Sequence, residues 1–206
     1  MSHKKHRKPP ITPHSRLWDG LSVGLLGGSF NPAHDGHKHI AHEALKRLGL
    51  DAVWLLVSPA NPLKNEQDLS AYTKRYQSAQ AIADHAQIMP TDIEAQMGSR
   101  YTLDSLLGLF KAFPKTHFIW LMGADNMQQF SSWYQWQMIA DNVPIAVFDR
   151  PSYSMGALTS DLARRYANFR VAPKYLAHCQ APAWSFVTTK RHPASATHIR
   201  QTSGAI

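Results

Sequence analysis

Two histidines and three glycines are concentrated in residues 27–37, which read GGSFNPAHDGH. His34 and His37 are three residues apart, so at the start of a helix their rings can face the same way. Glycine lets a backbone approach a ligand closely because it carries no Cβ, and the free N–H groups in the first turn of a helix bind phosphate. The stretch can therefore form a phosphate site, a metal site or an ordinary turn.

Other known site patterns match this stretch less well. It contains neither the G-x-G-x-x-G of dinucleotide-binding folds nor the G-x-x-x-x-G-K-[ST] of a P-loop. A zinc site would need ligands in addition to His34 and His37. His39 and His42 are close in sequence, but the H-E-x-x-H pattern of zinc proteases is missing. We therefore predict no metal bound by the protein, and we favour a phosphate site over a turn with surface histidines.

Short apolar runs alternate with helical patterns along the chain, and this alternation predicts the elements that position the histidines. Strand-like runs cover 21–26, 52–57, 88–94, 116–122, 144–148 and 184–188. Helical patterns cover 35–48, 71–85, 102–113, 132–140 and 158–169, with a final helical turn near Ser195. The order predicts an α/β fold, a Rossmann-like, doubly wound and mainly parallel sheet with helices on both faces.

Ligands of such sheets bind beyond the carboxyl ends of the strands, near the point where the strand order reverses. Residues 27–37 follow the first predicted strand, residues 58–64 follow the second, and residues 123–126 follow a later one. We therefore expect these three segments to lie at one edge of the sheet.

Residues 27–37 resemble the GGxFxPxHxGH signature of the HxGH nucleotidyltransferase superfamily. Four further segments resemble motifs of bacterial nicotinate-nucleotide adenylyltransferases, in the order of that family. These are 61–64 (NPLK, resembling NP-x-K), 100–106 (RYTLDSL, resembling S-Y-T-x-x-T-L), 123–126 (GADN, resembling G-x-D) and 195–200 (SATHIR, resembling S-S-T-x-I-R). The matches run from about residue 23 to residue 200, although Ala196 stands where the family motif has its second serine.

The resemblance implies transfer of the adenylyl group of ATP to nicotinate mononucleotide. The products would be nicotinate adenine dinucleotide and pyrophosphate, a step of NAD biosynthesis. ATP and nicotinate mononucleotide would be the partners, and Mg²⁺ would arrive with ATP. An adenylyltransferase of the same fold that uses nicotinamide mononucleotide or another phosphorylated acceptor is the alternative.

The resemblance also implies roles for individual residues. His37 would contact the α-phosphate of ATP with His34 beside it, and both would be catalytic. ATP and its phosphates would be bound by Gly27, Gly28, Ser29, Phe30, Lys64, Ser195, Thr197, Ile199 and Arg200. The acceptor would be bound by Tyr101, Thr102, Asp125 and Trp133. Helix capping is a rival interpretation for Thr102 and Asp125, as core packing is for Trp133. Arg75 and Arg150 would add positive charge, but we leave both outside the predicted site.

The net charge of +8 is unevenly distributed along the chain. The positive charge before Asp19, the first acidic residue, comes from Lys4, Lys5, Arg7, Lys8 and Arg16. We predict a disordered basic tail over residues 1–18 and a single domain over 19–206. A nucleic-acid-binding protein that uses this tail is a distant alternative.

The composition also bears on the compartment. No apolar run approaches the roughly 20 residues that span a bilayer, and a lone cysteine, Cys179, fits a reducing compartment. We predict a cytoplasmic protein without membrane contact, and the sequence leaves its oligomeric state open.

Overall fold

A computed structural model of the protein describes residues 11–12, 14–59, 70–150 and 153–189. Within these ranges one sheet runs through the molecule. Its strands are β1 (Ser22–Gly28), β2 (Ala52–Val57), β3 (Ile88–Thr91), β4 (His117–Gly123), β5 (Ile145–Phe148) and β6 (Trp184–Val187). All neighbouring strands are parallel, in the order β3-β2-β1-β4-β5-β6. The predicted parallel α/β sheet is confirmed.

The helices of the described residues follow the strands in alternation. They are α1 (Asp35–Leu48), α2 (Tyr72–Ile82), α3 (Ile93–Met97), α4 (Thr102–Ala112), α5 (Ala124–Gln129), α6 (Trp136–Asn142), α7 (Ser154–Leu158), α8 (Asp161–Arg165) and α9 (Pro173–Leu176). Short 3-10 turns cover Arg16–Trp18, Phe130–Ser132 and Ala167–Phe169. The predicted helical turn near Ser195 lies outside the described residues.

Four predicted elements differ clearly from the observed ones. The helix predicted over 71–85 ends at Ile82, where the Ala83 N–H donates to the Gln80 carbonyl. The other three differ because of local polar contacts or backbone conformation. The strand predicted over 88–94 ends at Thr91, whose hydroxyl accepts a hydrogen bond from the Ile93 N–H (3.2 Å) and turns the chain into α3. The helix predicted over 132–140 begins only at Trp136, because Gln135 has a left-handed φ of 49°. The helix predicted over 158–169 is divided, because the Ser160 side chain caps a new helix by accepting from the Ala163 N–H.

Two apolar clusters lie on opposite faces of the sheet. Consecutive strand residues alternate between them, so Leu25 and Trp120 belong to one cluster while Leu26 and Leu121 belong to the other. Residues of α3, α4, α5 and α6 cover the first face, and residues of α1, α2 and α9 cover the second. Both faces are therefore buried, as expected for a doubly wound parallel sheet. In the described ranges no helix is long and apolar enough to cross a membrane.

Trp18 belongs to the first cluster, although the sequence assigned it to a disordered tail. Its side chain is 4% exposed, and its ring lies edge-on to Trp54 with 4.9 Å between the ring centroids. The Thr116 hydroxyl donates to the Trp18 carbonyl (2.9 Å). The packed part of the chain therefore begins before Asp19.

Candidate active site

The strand order reverses between β1 and β4, and the candidate site lies at the carboxyl ends of these strands. The loop that follows β1 leads into α1, and α5 begins directly after Gly123 at the end of β4. β2 ends beside β1, since Gly28 is paired with Val57. The segments expected at one edge are therefore found there as far as the structure describes them.

His34 and His37 form a reciprocal cap at the first turn of α1. The His34 Nδ1 accepts from the Gly36 N–H (3.1 Å), and the His37 Nδ1 accepts from the His34 N–H (3.3 Å). An Nδ1 that accepts a hydrogen bond carries no proton, so the proton of each neutral ring is on Nε2. The rings lie 3.9 Å apart between centroids. The cap thus makes both Nε2 atoms donors, as binding of a phosphate oxygen requires.

Phe30 supports this pair from the loop after β1. Its φ is 48°, in the left-handed region that a non-glycine residue rarely adopts. Its ring is 1% exposed and packs against the His37 ring at 4.8 Å between centroids. The strained backbone and the buried ring therefore place Phe30 directly beside His37.

Gly27 lies against a tryptophan rather than against open space. A Cβ at this position would overlap the tip of the Trp120 indole from β4. Trp120 in turn packs edge-on against Trp133, with ring centroids 6.2 Å apart. Packing is therefore sufficient to explain a glycine at this position, and its predicted contact with ATP stays a prediction.

Trp133 and Tyr101 are connected through ring contacts. Trp133 is half-buried and also packs edge-on against Phe130 at 5.2 Å, and its indole N–H has no hydrogen-bond partner among the described residues. Its neighbour Tyr134 stacks on Tyr101 at 4.5 Å. These contacts hold the residue predicted to stack on the acceptor close to the start of α4.

α4 begins at Thr102, as predicted, with Tyr101 in the N-cap position. The Tyr101 side chain makes no capping hydrogen bond, and both residues are partly exposed. The N–H groups at the start of a helix attract anions. The helix start therefore has the geometry that a carboxylate of the acceptor requires.

Asp125 lies in the first turn of α5 and is paired with Arg150. The Arg150 guanidinium donates to Asp125 Oδ2. Asp125 Oδ1 is buried without a hydrogen-bond partner among the described residues, in the space that a Cβ on Gly123 would fill. Arg150, which we left outside the predicted site, thus orients one of its residues.

Two charged residues near this edge are buried: Arg75, which the sequence analysis leaves outside the predicted site, and Glu94, which it does not single out. Arg75 on α2 is 3% exposed, and burial lowers the pKa of its guanidinium, although arginine stays charged in proteins. Glu94 on α3 is 6% exposed; burial raises the pKa of its carboxyl, and hydrogen bonds from Ser105 and Ser58 oppose that rise. A charged residue inside an apolar pattern is the only signal that the sequence offers for either.

Five predicted ATP-binding residues lie outside the described residues, namely Lys64, Ser195, Thr197, Ile199 and Arg200. Within the described ranges, no group of three or more His, Cys, Asp or Glu side chains could hold a metal ion.

Comparison with protein families defines the class of the protein. Residues 25–202 match the family model described as cytidylyltransferase-like. The doubly wound sheet and the histidine pair at its switch point fit this match, so the protein is a nucleotidyltransferase by fold, site and sequence.

Similar sequences specify the class further. The chain is 44% identical to the "Probable nicotinate-nucleotide adenylyltransferase" of Parvibaculum lavamentivorans, over 91% of this chain and 95% of that one. It is 42% identical to the protein of the same description from Ruegeria pomeroyi, over 93% of this chain and 90% of that one. The chain belongs to the nicotinate-nucleotide adenylyltransferase family.

A solved structure supports the fold. Plasmodium falciparum nicotinic acid mononucleotide adenylyltransferase complexed with NaAD superposes with a TM-score of 0.68, covering 88% of this chain and 83% of that one. The two sequences are only 14% identical, so this likeness bears on the fold alone.

Proposed function

We propose that the protein transfers the adenylyl group of ATP to the phosphate of nicotinate mononucleotide and forms nicotinate adenine dinucleotide and pyrophosphate. The observation that carries the proposal is the pair of Nε2–H donors at the start of α1, at the switch point of the sheet. The printed descriptions of the relatives support the choice of acceptor.

The phosphates of ATP lie at the first turn of α1 in this proposal. The His37 Nε2–H donates to the α-phosphate, and His34 lies beside it. Main-chain groups of Gly27, Gly28, Ser29 and Phe30 line the same position. Further ATP contacts come from Lys64, Ser195, Thr197, Ile199 and Arg200, of which Lys64 and Arg200 neutralise the departing pyrophosphate.

A phosphate oxygen of nicotinate mononucleotide attacks the α-phosphorus of ATP in line. The new P–O bond forms as the bond from the α-phosphorus to the bridging oxygen of the β-phosphate breaks, and pyrophosphate leaves with that electron pair. A phosphate monoester has its second pKa near 6 and is mostly a dianion at neutral pH, so the attack needs no general base. Catalysis therefore consists of positioning and charge stabilisation.

The acceptor is recognised by residues beyond β4 and at the start of α4. The N–H groups of Tyr101 and Thr102 and the Thr102 hydroxyl bind the nicotinate carboxylate. Trp133 stacks on the cationic pyridine ring, because a flat aromatic face attracts a cation. Asp125, oriented by Arg150, accepts hydrogen bonds from the ribose.

Mg²⁺ accompanies ATP in this proposal and is held by its phosphates and water. Among the described residues, no group of three or more His, Cys, Asp or Glu side chains is placed to hold it. We also propose that the chain acts as a single domain in the cytoplasm.

The substrate assignment is tested by pyrophosphate release from ATP with separate acceptors. We expect turnover with nicotinate mononucleotide and much less with nicotinamide mononucleotide, which lacks the carboxylate. Turnover with nicotinamide mononucleotide or 4′-phosphopantetheine, and none with nicotinate mononucleotide, would refute the assignment.

The role of His37 is tested by His37→Ala. We expect kcat to fall by about 100-fold or more, the cost of losing one donor to developing charge. His42→Ala is the matched control, because His42 lies on the same helix and pairs with Asp84 at the surface (2.8 Å). Equal rates for the two variants would refute the role of His37.

A further inference from the structure

Arg75 is a buried cation whose hydrogen bonds go to main-chain oxygens. Its Nε donates to the Ser70 carbonyl (3.0 Å), and its Nη2 donates to the Pro59 carbonyl (2.9 Å). Its Nη1 donates to the carbonyls of Ser29 (2.8 Å) and Ser58 (2.6 Å). Among the described residues no carboxylate forms an ion pair with it. One guanidinium therefore joins three separate stretches of backbone, and its described partners are all neutral carbonyl groups.

The contact with Ser29 orients the peptide group that precedes Phe30. In a trans peptide the C=O and the N–H point in opposite directions, so the Phe30 N–H is directed away from Arg75. Phe30 has a φ of 48°, a conformation that is unfavourable for a non-glycine residue and persists only where the surroundings enforce it. Arg75 on one side and the packing of the buried Phe30 ring against His37 on the other provide that enforcement.

The other contacts join the loop after β2 to the same point. The Ser58 N–H donates to the Gly28 carbonyl (3.0 Å), which extends the pairing of β1 with β2. Its carbonyl and that of Pro59 are both bound by Arg75, and the Ser70 carbonyl, just before α2, is bound as well. Arg75 therefore fixes the positions of Ser58, Pro59 and Ser70 relative to the β1 loop.

We propose that Arg75 is a positioning residue for the ATP site: it does not touch ATP, but it holds Ser29 in the β1 loop against Ser58 and Pro59 at the end of β2, in the arrangement that lets the β1 loop bind the phosphates. The inference rests on the proposed function. Replacing Arg75 should therefore weaken the binding of ATP, which replacing a surface arginine should not, and it should affect the binding of the acceptor little.

Arg75→Lys is the most direct test. Lysine keeps the positive charge, but its compact ammonium carries three N–H groups on a flexible stem and cannot span the same four carbonyls. We expect the KM for ATP to rise by about tenfold or more, because small displacements at a reacting centre have effects of this size or larger. The KM for nicotinate mononucleotide should change by less than about threefold, since α4 and Trp133 make no contact with Arg75.

Two further variants complete the design. Arg47→Lys is the matched control, because Arg47 is exposed on α1 and pairs only with Glu43 one turn earlier (3.0 Å), and it should leave both KM values unchanged. Arg75→Met keeps much of the apolar stem, so the test does not depend on the folding of one variant. Thermal unfolding measures whether each variant retains the fold.

Amide hydrogen exchange adds a readout that does not depend on turnover. Exchange in the peptide covering residues 26–34 should be faster in the Arg75 variants than in the wild type and in Arg47→Lys. An unchanged exchange rate together with an unchanged KM for ATP would overturn the proposal. An equal loss of affinity for both substrates that follows the loss of thermal stability would overturn it too, since Arg75 would then support only the fold.

Failure of the proposed function gives a different result. Wild-type protein that binds ATP, measured by calorimetry, but never adenylates nicotinate mononucleotide would refute that function. The ATP affinity and the amide exchange of the Arg75 variants would still decide whether Arg75 positions the ATP site.

Discussion

Each histidine of the candidate site has a structural task, and the proposed function gives each a chemical task as well. The Nδ1 atoms cap α1, and this use leaves the Nε2 atoms as donors. The same contacts thus stabilise the helix and select the tautomer. Because each task belongs to a different ring atom, substitution can separate the two.

His34→Asn should retain the cap and lose the donor. Asparagine is among the preferred N-cap residues, whereas alanine at a capped position costs roughly 0.5–2 kcal/mol. We expect His34→Asn to unfold near the wild-type denaturant midpoint and His34→Ala to unfold earlier, while both lose adenylyl transfer. Wild-type turnover by His34→Asn would show that capping is the whole role of His34.

Gly27→Ala tests whether packing against Trp120 explains the glycine. The added Cβ overlaps the indole of a buried strand residue, and overpacking of this kind costs about 1–3 kcal/mol. The smaller ring of Trp120→Phe should remove most of that cost. In urea unfolding we therefore expect the double variant to be more stable than the sum of the single changes predicts. Strict additivity would contradict the packing explanation.

At the scale of elements, Ser58 lies between two buried charged residues, Arg75 on α2 and Glu94 on α3. The Ser58 carbonyl accepts from Arg75, which also holds the β1 loop. Ser58 on the β2 side and Ser105 in α4 both hold down the pKa of the buried Glu94 carboxyl on α3. Ser58 therefore lies between the Arg75 guanidinium and the buried carboxyl of Glu94.

Glu94 should make stability depend on pH. Burial raises the pKa of its carboxyl above the usual value of a glutamate, so the folded state binds more protons than the unfolded state. The contribution of Glu94 to the free energy of unfolding then falls as pH rises from the unfolded pKa through the folded pKa. Glu94→Gln has no carboxyl to ionise and therefore avoids this loss. As pH rises from the unfolded to the folded pKa of Glu94, the free energy of unfolding of the variant should increase relative to that of the wild type.

Urea unfolding of both proteins between about pH 4 and pH 8 measures the gain. Glu43→Gln on α1 serves as the control, because Glu43 pairs with Arg47 at the surface. Parallel curves for wild type and Glu94→Gln would contradict a raised pKa.

At the scale of the whole molecule, the first strand is preceded by a segment that packs into the core. Trp18 contacts Trp54, and the Gly20 N–H donates to the Lys115 carbonyl (2.8 Å). A test of nucleic-acid binding by the basic tail must therefore leave Trp18 in place.

Deletion of residues 2–10 should leave thermal stability unchanged, and deletion of residues 2–18 should lower it. Loss of a buried tryptophan costs about 3–5 kcal/mol, and Trp18→Ala in the full chain should reproduce most of the effect. Differential scanning calorimetry measures all three. If the longer deletion unfolds at the wild-type temperature, Trp18 contributes nothing to the core.

The strands were predictable because their signal is local. β2 has its predicted bounds, residues 52–57, and four of the other strands are close to prediction, since a strand buried on both faces is a short apolar run between turns. β3 ends at Thr91, before its predicted end at Glu94. Errors arose where one residue decided the outcome. Glu94 was assigned to a strand from the local pattern alone. That pattern does not show its partners, Ser58 and Ser105, because they are distant in sequence.

By itself, the sequence determined the α/β class and the place of the histidine pair, because both depend on periodicities and spacings within a few residues. The roles predicted for the glycines, Thr102, Asp125 and Trp133 stay predictions. Only the tertiary structure decided the tautomers of His34 and His37, the packing of Gly27 against Trp120, and the positions of Arg75 and Arg150. Arg75 binds a carbonyl 46 residues away and Arg150 a carboxylate 25 residues away, and contacts over such separations exist only once the sheet has brought its loops together.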